Sequence, residues 1–319
     1  MENNKINFSV FILTYNQKDC IGNAIQSCLD QEVLPYEIIV ADDCSQDGNQ
    51  EVIKSYQKKY PDIIKPLFNE KNVWIYENYN NAIKYLKGDI GICLAGDDLL
   101  PKGAIKFAYD AIIDSQIDFK NTKICVVGNN RIIYPSGKER IHDNYRIRNN
   151  SAFKEQLRSG LSTRDFGFSV STLQSNPIDS SYGTSADTIR TLNLISDTKE
   201  FIFIKEIVAV YNLGFGVTSK FTMRDYCESG KKYIDFISKE NYPQLDKNDI
   251  KFIKYRKALI NYFTSSTLNS IYHYFLFAYH LLINRNNFSI NSKFSQRLKY
   301  LIPFYSFLSI RAKNFIYRK

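Results

Sequence analysis

The chain has 319 residues, an apolar share of 44% that is ordinary for a globular protein, and a formal net charge of +9. That length supports one large domain or two with a full core, and six cysteines without a CxxC pair exclude a disulfide framework and a cysteine-based metal site. The charge is uneven: 251–319 holds twelve Lys and Arg and no Asp or Glu, leaving 30 basic against 33 acidic residues in 1–250.

The cysteines at 20, 28, 44, 93, 125 and 227 mostly sit in apolar runs and read as small buried hydrophobes in a reducing compartment. The first residues lack the apolar core of a signal peptide. No stretch reaches roughly eighteen uninterrupted apolar residues, so no transmembrane helix is expected. A cytoplasmic chain is therefore expected.

Residues 8–13 are apolar and β-rich, a central parallel strand, and end in Thr14-Tyr15-Asn16. Ile21, Ala24, Ile25, Cys28 and Leu29 then mark one face of a helix. A second buried strand, 37–41, runs into Asp42-Asp43-Cys44-Ser45. Asp47 and Gln50 have capping-box spacing and open a helix through Lys58. A strand at 63–68 precedes a helix over 78–86. The strand at 90–94 delivers Asp97-Asp98, and a helix follows from about 101 to 115. Alternating strands and helices with short links predict right-handed crossovers and a parallel sheet.

In such a sheet the ends of these strands share one edge, where open α/β sheets bind ligands. Adjacent aspartates are costly to desolvate unless something positive is bound. Oxygen ligands without His or Cys suit Mg²⁺ or Mn²⁺ bridging to a phosphate. A cap on the helix near Pro101 is the competing explanation for that pair. Neither GxGxxG nor a P-loop is present, which disfavours a dehydrogenase or an ATPase.

Past a strand at 123–128, a hairpin is expected over 131–141. Residues 142–183 read as polar and loop-rich, with a helix near 153–159. Asp187 lies in the first turn of a helix over 188–195, where a carboxylate also suits the helix dipole. Strands are expected at 201–204 and 207–211, then a flexible turn from Asn212 to Gly216. His142, His273 and His280 lie away from these motifs and read as structural or surface residues.

The run ending Thr14-Tyr15-Asn16, the strand ending Asp42-Asp43-Cys44-Ser45, and Leu94 to Asp98 followed by Pro101 together resemble glycosyltransferase family 2. The resemblance covers roughly residues 7–110, with the Asp187 helix and the strands to Tyr211 similar to the family's later half. It implies an inverting glycosyltransferase, hexosyltransferase in type. The implied fold is the α/β GT-A fold, a Rossmann-like, mostly parallel sheet flanked by helices, here with a helical C-terminal extension. Thr14, Tyr15 and Asn16 would line the nucleotide pocket, and Asp43 would hold the base, commonly uracil. Asp98 would hold Mn²⁺ or Mg²⁺, with Asp97 near the donor's ribose or sugar, and Asp187 would be the general base. One departure stands out: Ala95 occupies a place where many members carry a further Asp. The metal carboxylate remains.

The chemistry fits the residues. A metal on Asp98 neutralises a diphosphate leaving group, and a carboxylate can take the proton of an attacking hydroxyl. The expected domains are a catalytic domain, 1–222, with a donor half at 1–110 and an acceptor half at 111–222, and a basic, aromatic helical region at 223–319. The runs 271–283 and 301–308, flanked by Lys and Arg, fit an anionic membrane interface, and a helical extension with a solvated basic face is the alternative. No nucleic-acid motif accompanies this basicity. The expected partners are a nucleotide-sugar donor, uridine-based as the resemblance implies, a glycan or lipid-linked saccharide acceptor and the inner face of the cytoplasmic membrane. Bacterial surface polysaccharide synthesis is the implied setting. The rival readings are a sugar nucleotidyltransferase, which lacks its Gly-rich basic loop here, and a non-catalytic glycan- or nucleotide-binding module.

Overall fold

The computed structural model describes residues 5–145, 152–159, 166–213, 223–240 and 242–264. The chain divides into two compact units, Met1–Phe221 and Thr222–Lys319.

The first unit is built on an eight-stranded sheet. Strands β1 (Phe8–Thr14), β2 (Glu37–Asp42), β3 (Ile64–Phe68) and β4 (Ile90–Ala95) are parallel, in the order β3-β2-β1-β4. Their near-continuous apolar runs suit strands covered on both faces. Every residue of β2 is buried. Pleat alternation sends Phe8, Val10 and Ile12 to one face. There they share a core with Ile21, Ala24, Ile25 and Cys28 of α1 (Lys18–Leu29), Ile53 of α2 (Asn49–Lys59), and Ala104, Ile105, Ala108 and Ile112 of α4 (Ala104–Ser115). Phe11, on the other face, meets Tyr79 of α3 (Trp74–Ile83) edge-on, ring centroids 5.2 Å apart.

The rest of the sheet is mixed. β5 (Ile124–Ile133) pairs antiparallel with β6 (Glu139–His142) as the expected hairpin and runs parallel to β8 (Glu200–Asn212). β7 (Phe166–Ser169) runs antiparallel between β4 and β5. The expected α/β architecture is thus present: a mostly parallel sheet with helices on its faces, while the described part of the second unit is helical.

Four local expectations are corrected. α3 starts at Trp74, four residues before the expected 78. The capping box at Asp47 and Gln50 does not form, because Gly48 at φ +93° is the N-cap of α2. Asp47 instead accepts from the Asn49 and Lys18 amides, and Gln50 turns to Asp42. The stretch expected to be loop-rich apart from a helix near 153–159, which is α5 (Ala152–Ser159), also contains β7, α6 (Val170–Ser175) and a 3₁₀ turn at Ser180–Ser185. Such short elements carry too few residues to show a period. Finally, the two strands expected over 201–211 are one strand, β8, with register shifts opposite Asn129.

In the second unit, α8 (Met223–Lys239) buries Tyr233, Ile234 and Ile237, and α9 (Lys247–Thr264) buries Ile253. Asp246 and Asp249 cap the start of α9 reciprocally: Asp246 Oδ1 accepts from the Asp249 amide at 2.9 Å, and Asp249 Oδ2 from the Asp246 amide at 3.1 Å. No helix among the described residues is long and apolar enough to cross a membrane. The aromatic runs 271–283 and 301–308, and with them His273 and His280, lie outside the described residues.

Candidate active site

The strand register sets the site. Thr14 stands beside Asp42, and Leu13 beside Ala95, so the C-terminal ends of β1, β2 and β4 open onto one edge. The β1 and β2 turns are laced together there. The Asn16 amide donates to Ser45 Oγ at 2.8 Å, the Gln46 amide to Asn16 Oδ1 at 2.9 Å, and the Asp43 amide to the Thr14 carbonyl at 3.0 Å. Asn16 adopts φ +50°, a left-handed conformation that Asn tolerates better than most residues. Tyr15 leaves its ring exposed beside this turn. Thr14 is buried, and its Oγ1 accepts from Asn49 Nδ2 at 3.1 Å, so its hydroxyl belongs to the frame of the turn.

The two aspartates ending β2 divide their labour. Asp42 is wholly buried and accepts three hydrogen bonds: from the Ser45 amide at 3.0 Å, Asn49 Nδ2 at 2.7 Å and Gln50 Nε2 at 2.8 Å. It holds the turn. Asp43, 3% exposed, takes both its bonds on Oδ1, from Asn69 Nδ2 at 3.0 Å and the Val73 amide at 2.8 Å. Its Oδ2 has no hydrogen bond among the described residues, and can accept an N–H from a ligand.

The β4 turn packs tightly on β1. The Gly96 amide donates to the Leu13 carbonyl at 2.9 Å. A Cβ at Gly96 would lie 2.5 Å from Gln17 Oε1 and 2.8 Å from Thr14 Oγ1, so glycine is required. The next two residues, Asp97 and Asp98, are both buried. Asp98 Oδ1 accepts from the Asn212 amide at 3.0 Å, and Asn212 Nδ2 donates to the Asp97 carbonyl at 2.6 Å. Leu99 and Val210 exchange two backbone bonds just beyond. The end of β8 therefore clamps the aspartate turn. Asn212 was expected in a flexible turn; it is the last residue of a strand, because its side chain and amide are spent on this turn. No sequence signal marks a partner 114 residues away.

Asp97 has no ion pair among the described residues, and its charge, after burial, helps push the Cys20 thiol upward. Among the described residues no three His, Cys, Asp or Glu side chains form a metal cage. An all-oxygen pair of carboxylates without a cage suits Mg²⁺ or Mn²⁺, which takes one or two carboxylates and fills its shell with phosphate and water.

Asp187 is exposed in the first turn of α7 (Ala186–Asp197), its Oδ1 accepting from the Thr188 amide at 2.7 Å. α3 links its helix to the sheet edge that carries Asp43. Asn80 Nδ2 donates to the Ile178 carbonyl and the Ile178 amide donates back to Asn80 Oδ1, both at 2.8 Å. Arg190 of α7, 4% exposed, donates from Nη2 to Tyr79 Oη and from Nε to the Asn176 carbonyl, and its guanidinium lies 4.0 Å from the Tyr79 ring centre. Burial and then the nearby Asp187 charge hold the Tyr76 phenol above its ordinary range. One helix start thus binds Asp43 through the Val73 amide and places Tyr76 within the electrostatic reach of Asp187. Arg190 and α3's role as the connecting element were not expected from the sequence, since neither carries a motif.

Comparison with known proteins places these motifs. The family model for glycosyl transferase family 2 matches residues 9–173. A Bacillus subtilis protein named as a teichuronic acid biosynthesis glycosyltransferase, TuaG, is 29% identical over 122 residues, 38% of this chain and 48% of its own. The poly(ribitol-phosphate) beta-glucosyltransferase of Bacillus spizizenii is 28% identical over 118 residues, 36% of this chain and 19% of its own. The chain spans about a quarter to a half of the length of the first curated relatives it matches. Among solved structures, residues 1–349 of Staphylococcus aureus TarS with UDP-GlcNAc superpose with a TM-score of 0.60 at 17% identity, over 93% of this chain and 79% of that one. A Pyrobaculum calidifontis mannosyltransferase with GDP-Man and Mn²⁺ gives 0.56 at 14% identity, over 97% and 84%.

Proposed function

Because the chain belongs to glycosyl transferase family 2, we propose that it moves a sugar from a nucleotide-sugar donor, a UDP-sugar, to a hydroxyl of a glycan or lipid-linked saccharide with inversion at the anomeric carbon. The observation that carries this reading is the convergence of Asp43 and Asp97-Asp98 on one sheet edge, with Asp187 joined to that edge through α3. The TarS complex with UDP-GlcNAc supports the uridine donor.

In this mechanism Asp43 accepts the base N–H on Oδ2 while the Asn69 and Val73 donors fix its Oδ1. The Tyr15 ring supplies an apolar surface beside it, and Asn16 keeps the two turns in register. Asp98 would hold the divalent cation, with Asp97 turned toward the ribose or sugar. A bound Mn²⁺ or Mg²⁺ would supply Lewis-acid neutralisation of the diphosphate leaving group; the manganese in the mannosyltransferase complex supports this. Asp187 takes the proton of the acceptor hydroxyl as it attacks, and its exposure leaves room for that acceptor. The setting is bacterial surface polysaccharide synthesis, supported by the named activities of the curated relatives. The basic C-terminal region holds the enzyme on the cytoplasmic face of the membrane; the full chain should sediment with anionic vesicles and be released by salt.

The decisive experiment is a melting panel with UDP, GDP, CMP and dTDP, each with and without Mn²⁺. A ligand at about a hundred times its dissociation constant stabilises by roughly 2.7 kcal/mol. Stabilisation by UDP only with metal is the expected result. No shift with any nucleotide would refute the donor site.

A further inference from the structure

Trp74 is the only tryptophan of the chain. It opens α3 at φ +66°, and it is 77% exposed. A bulky side chain rarely adopts that left-handed backbone. Its indole makes no hydrogen bond or ring contact among the described residues, so packing does not explain it. The backbone beneath is nonetheless fixed. The Trp74 amide donates to Asn72 Oδ1 at 3.0 Å, and the preceding Val73 amide donates to Asp43 Oδ1 at 2.8 Å. Two residues further on, Tyr76 feels the charge of Asp187. The exposed ring therefore stands on the few residues that run from the proposed base-binding carboxylate to the proposed general base. Ile75 beside it is also exposed.

We propose that Trp74 is the stacking platform for a pyranose ring of the acceptor saccharide. The inference rests on the transferase reading above. A sugar's C–H face is apolar and slightly positive, and the face of an indole is negative, so the two stack while the hydroxyls remain free for hydrogen bonds. Donor recognition falls to the buried Asp43 and Asp98, whereas Trp74 lies on the rim, where an acceptor arrives from solvent. Because the backbone beneath the ring is already fixed, little backbone freedom is lost when a sugar binds.

The single tryptophan makes the test direct. The full chain is saturated with UDP and Mn²⁺, and its emission is followed while the methyl β-pyranosides of glucose, galactose and N-acetylglucosamine are added in turn. The expected result is a saturable blue shift and reduced acrylamide quenching with at least one of them. With that sugar as acceptor, Trp74→Gly should raise its KM by about tenfold. Trp74→Tyr should restore most of the loss, and both variants should keep the UDP melting shift. Glycine relieves the backbone at this φ, so the first variant should melt no lower than the parent. If UDP and Mn²⁺ alone produce the whole emission change, the ring belongs to the donor and the proposal fails. It also fails if anionic vesicles move the emission and no sugar does, which would make the ring a membrane contact. A chain that responds to UDP but to none of the three pyranosides refutes this subsite and leaves the transferase reading intact. A chain that no nucleotide stabilises refutes both.

Discussion

Replacing Asp42 with alanine separates the aspartate that builds the β2 turn from the one proposed to read the nucleotide. Asp42 accepts from the Ser45 amide, Asn49 Nδ2 and Gln50 Nε2. Gln50 is partly exposed and can turn to water. The Ser45 and Asn49 donors are buried, and each would be left unsatisfied at about 1–3 kcal/mol. The expected loss is about 4 kcal/mol at mid-range, or a fall in melting temperature of about 8–16 °C for a unit of this size. Asp43→Ala frees only partly buried donors, Asn69 Nδ2 and the Val73 amide, and should cost about 1 kcal/mol while abolishing the UDP shift. Urea and thermal melts of both variants, with and without UDP and Mn²⁺, measure the contrast. An Asp42→Ala protein that melts within about 2 °C of the parent yet no longer responds to UDP would refute the division, because Asp42 would then be a ligand group.

Gly96→Ala drives a methyl into Gln17 and Thr14, and should cost about 1–3 kcal/mol and erase the metal-dependent nucleotide shift; a normal melt with a normal shift would contradict the packing. Arg190→Lys cannot keep both the Tyr79 and the Asn176 bonds and should lower the urea midpoint by an amount worth about 1–3 kcal/mol. Asp187→Asn should reduce sugar transfer about 10²–10⁴-fold with the UDP melting shift unchanged, measured by labelled-sugar incorporation into membrane acceptors. The Cys28 thiol is pushed by burial from 9.0 up to about 12. Its contribution to stability is complete below pH 9 and is lost as pH rises toward 12, because the unfolded chain releases the proton first. Stability should fall by about 1.4 kcal/mol per pH unit across that window, and Cys28→Ala should flatten the slope of urea midpoints.

Much of the first hundred residues was legible because its signals are local. The apolar runs of β1, β2 and β4 and the periodic face of α1 each fit within a dozen residues, and their physics is burial of one pattern against another. The aspartates stood out because strand ends in a parallel sheet must share an edge. The stretch from β5 to β8 was less legible. β7 and α6 are only four and six residues long. The start of α3 was misplaced because Trp74, Ile75 and Tyr76 do not read as a helix opening, and a left-handed residue begins it.

What the sequence determined by itself was the α/β alternation, the family and the short list of carboxylates that meet at the sheet edge. Only the tertiary structure separated Asp42 from Asp43, tied the Asp97-Asp98 turn to Asn212, and joined the helix of Asp187 to α3 through Arg190 and Tyr79. The physical reason is range. Burial patterns and turn chemistry act between near neighbours, whereas the direction in which a carboxylate points is decided by donors brought to it from elements far along the chain.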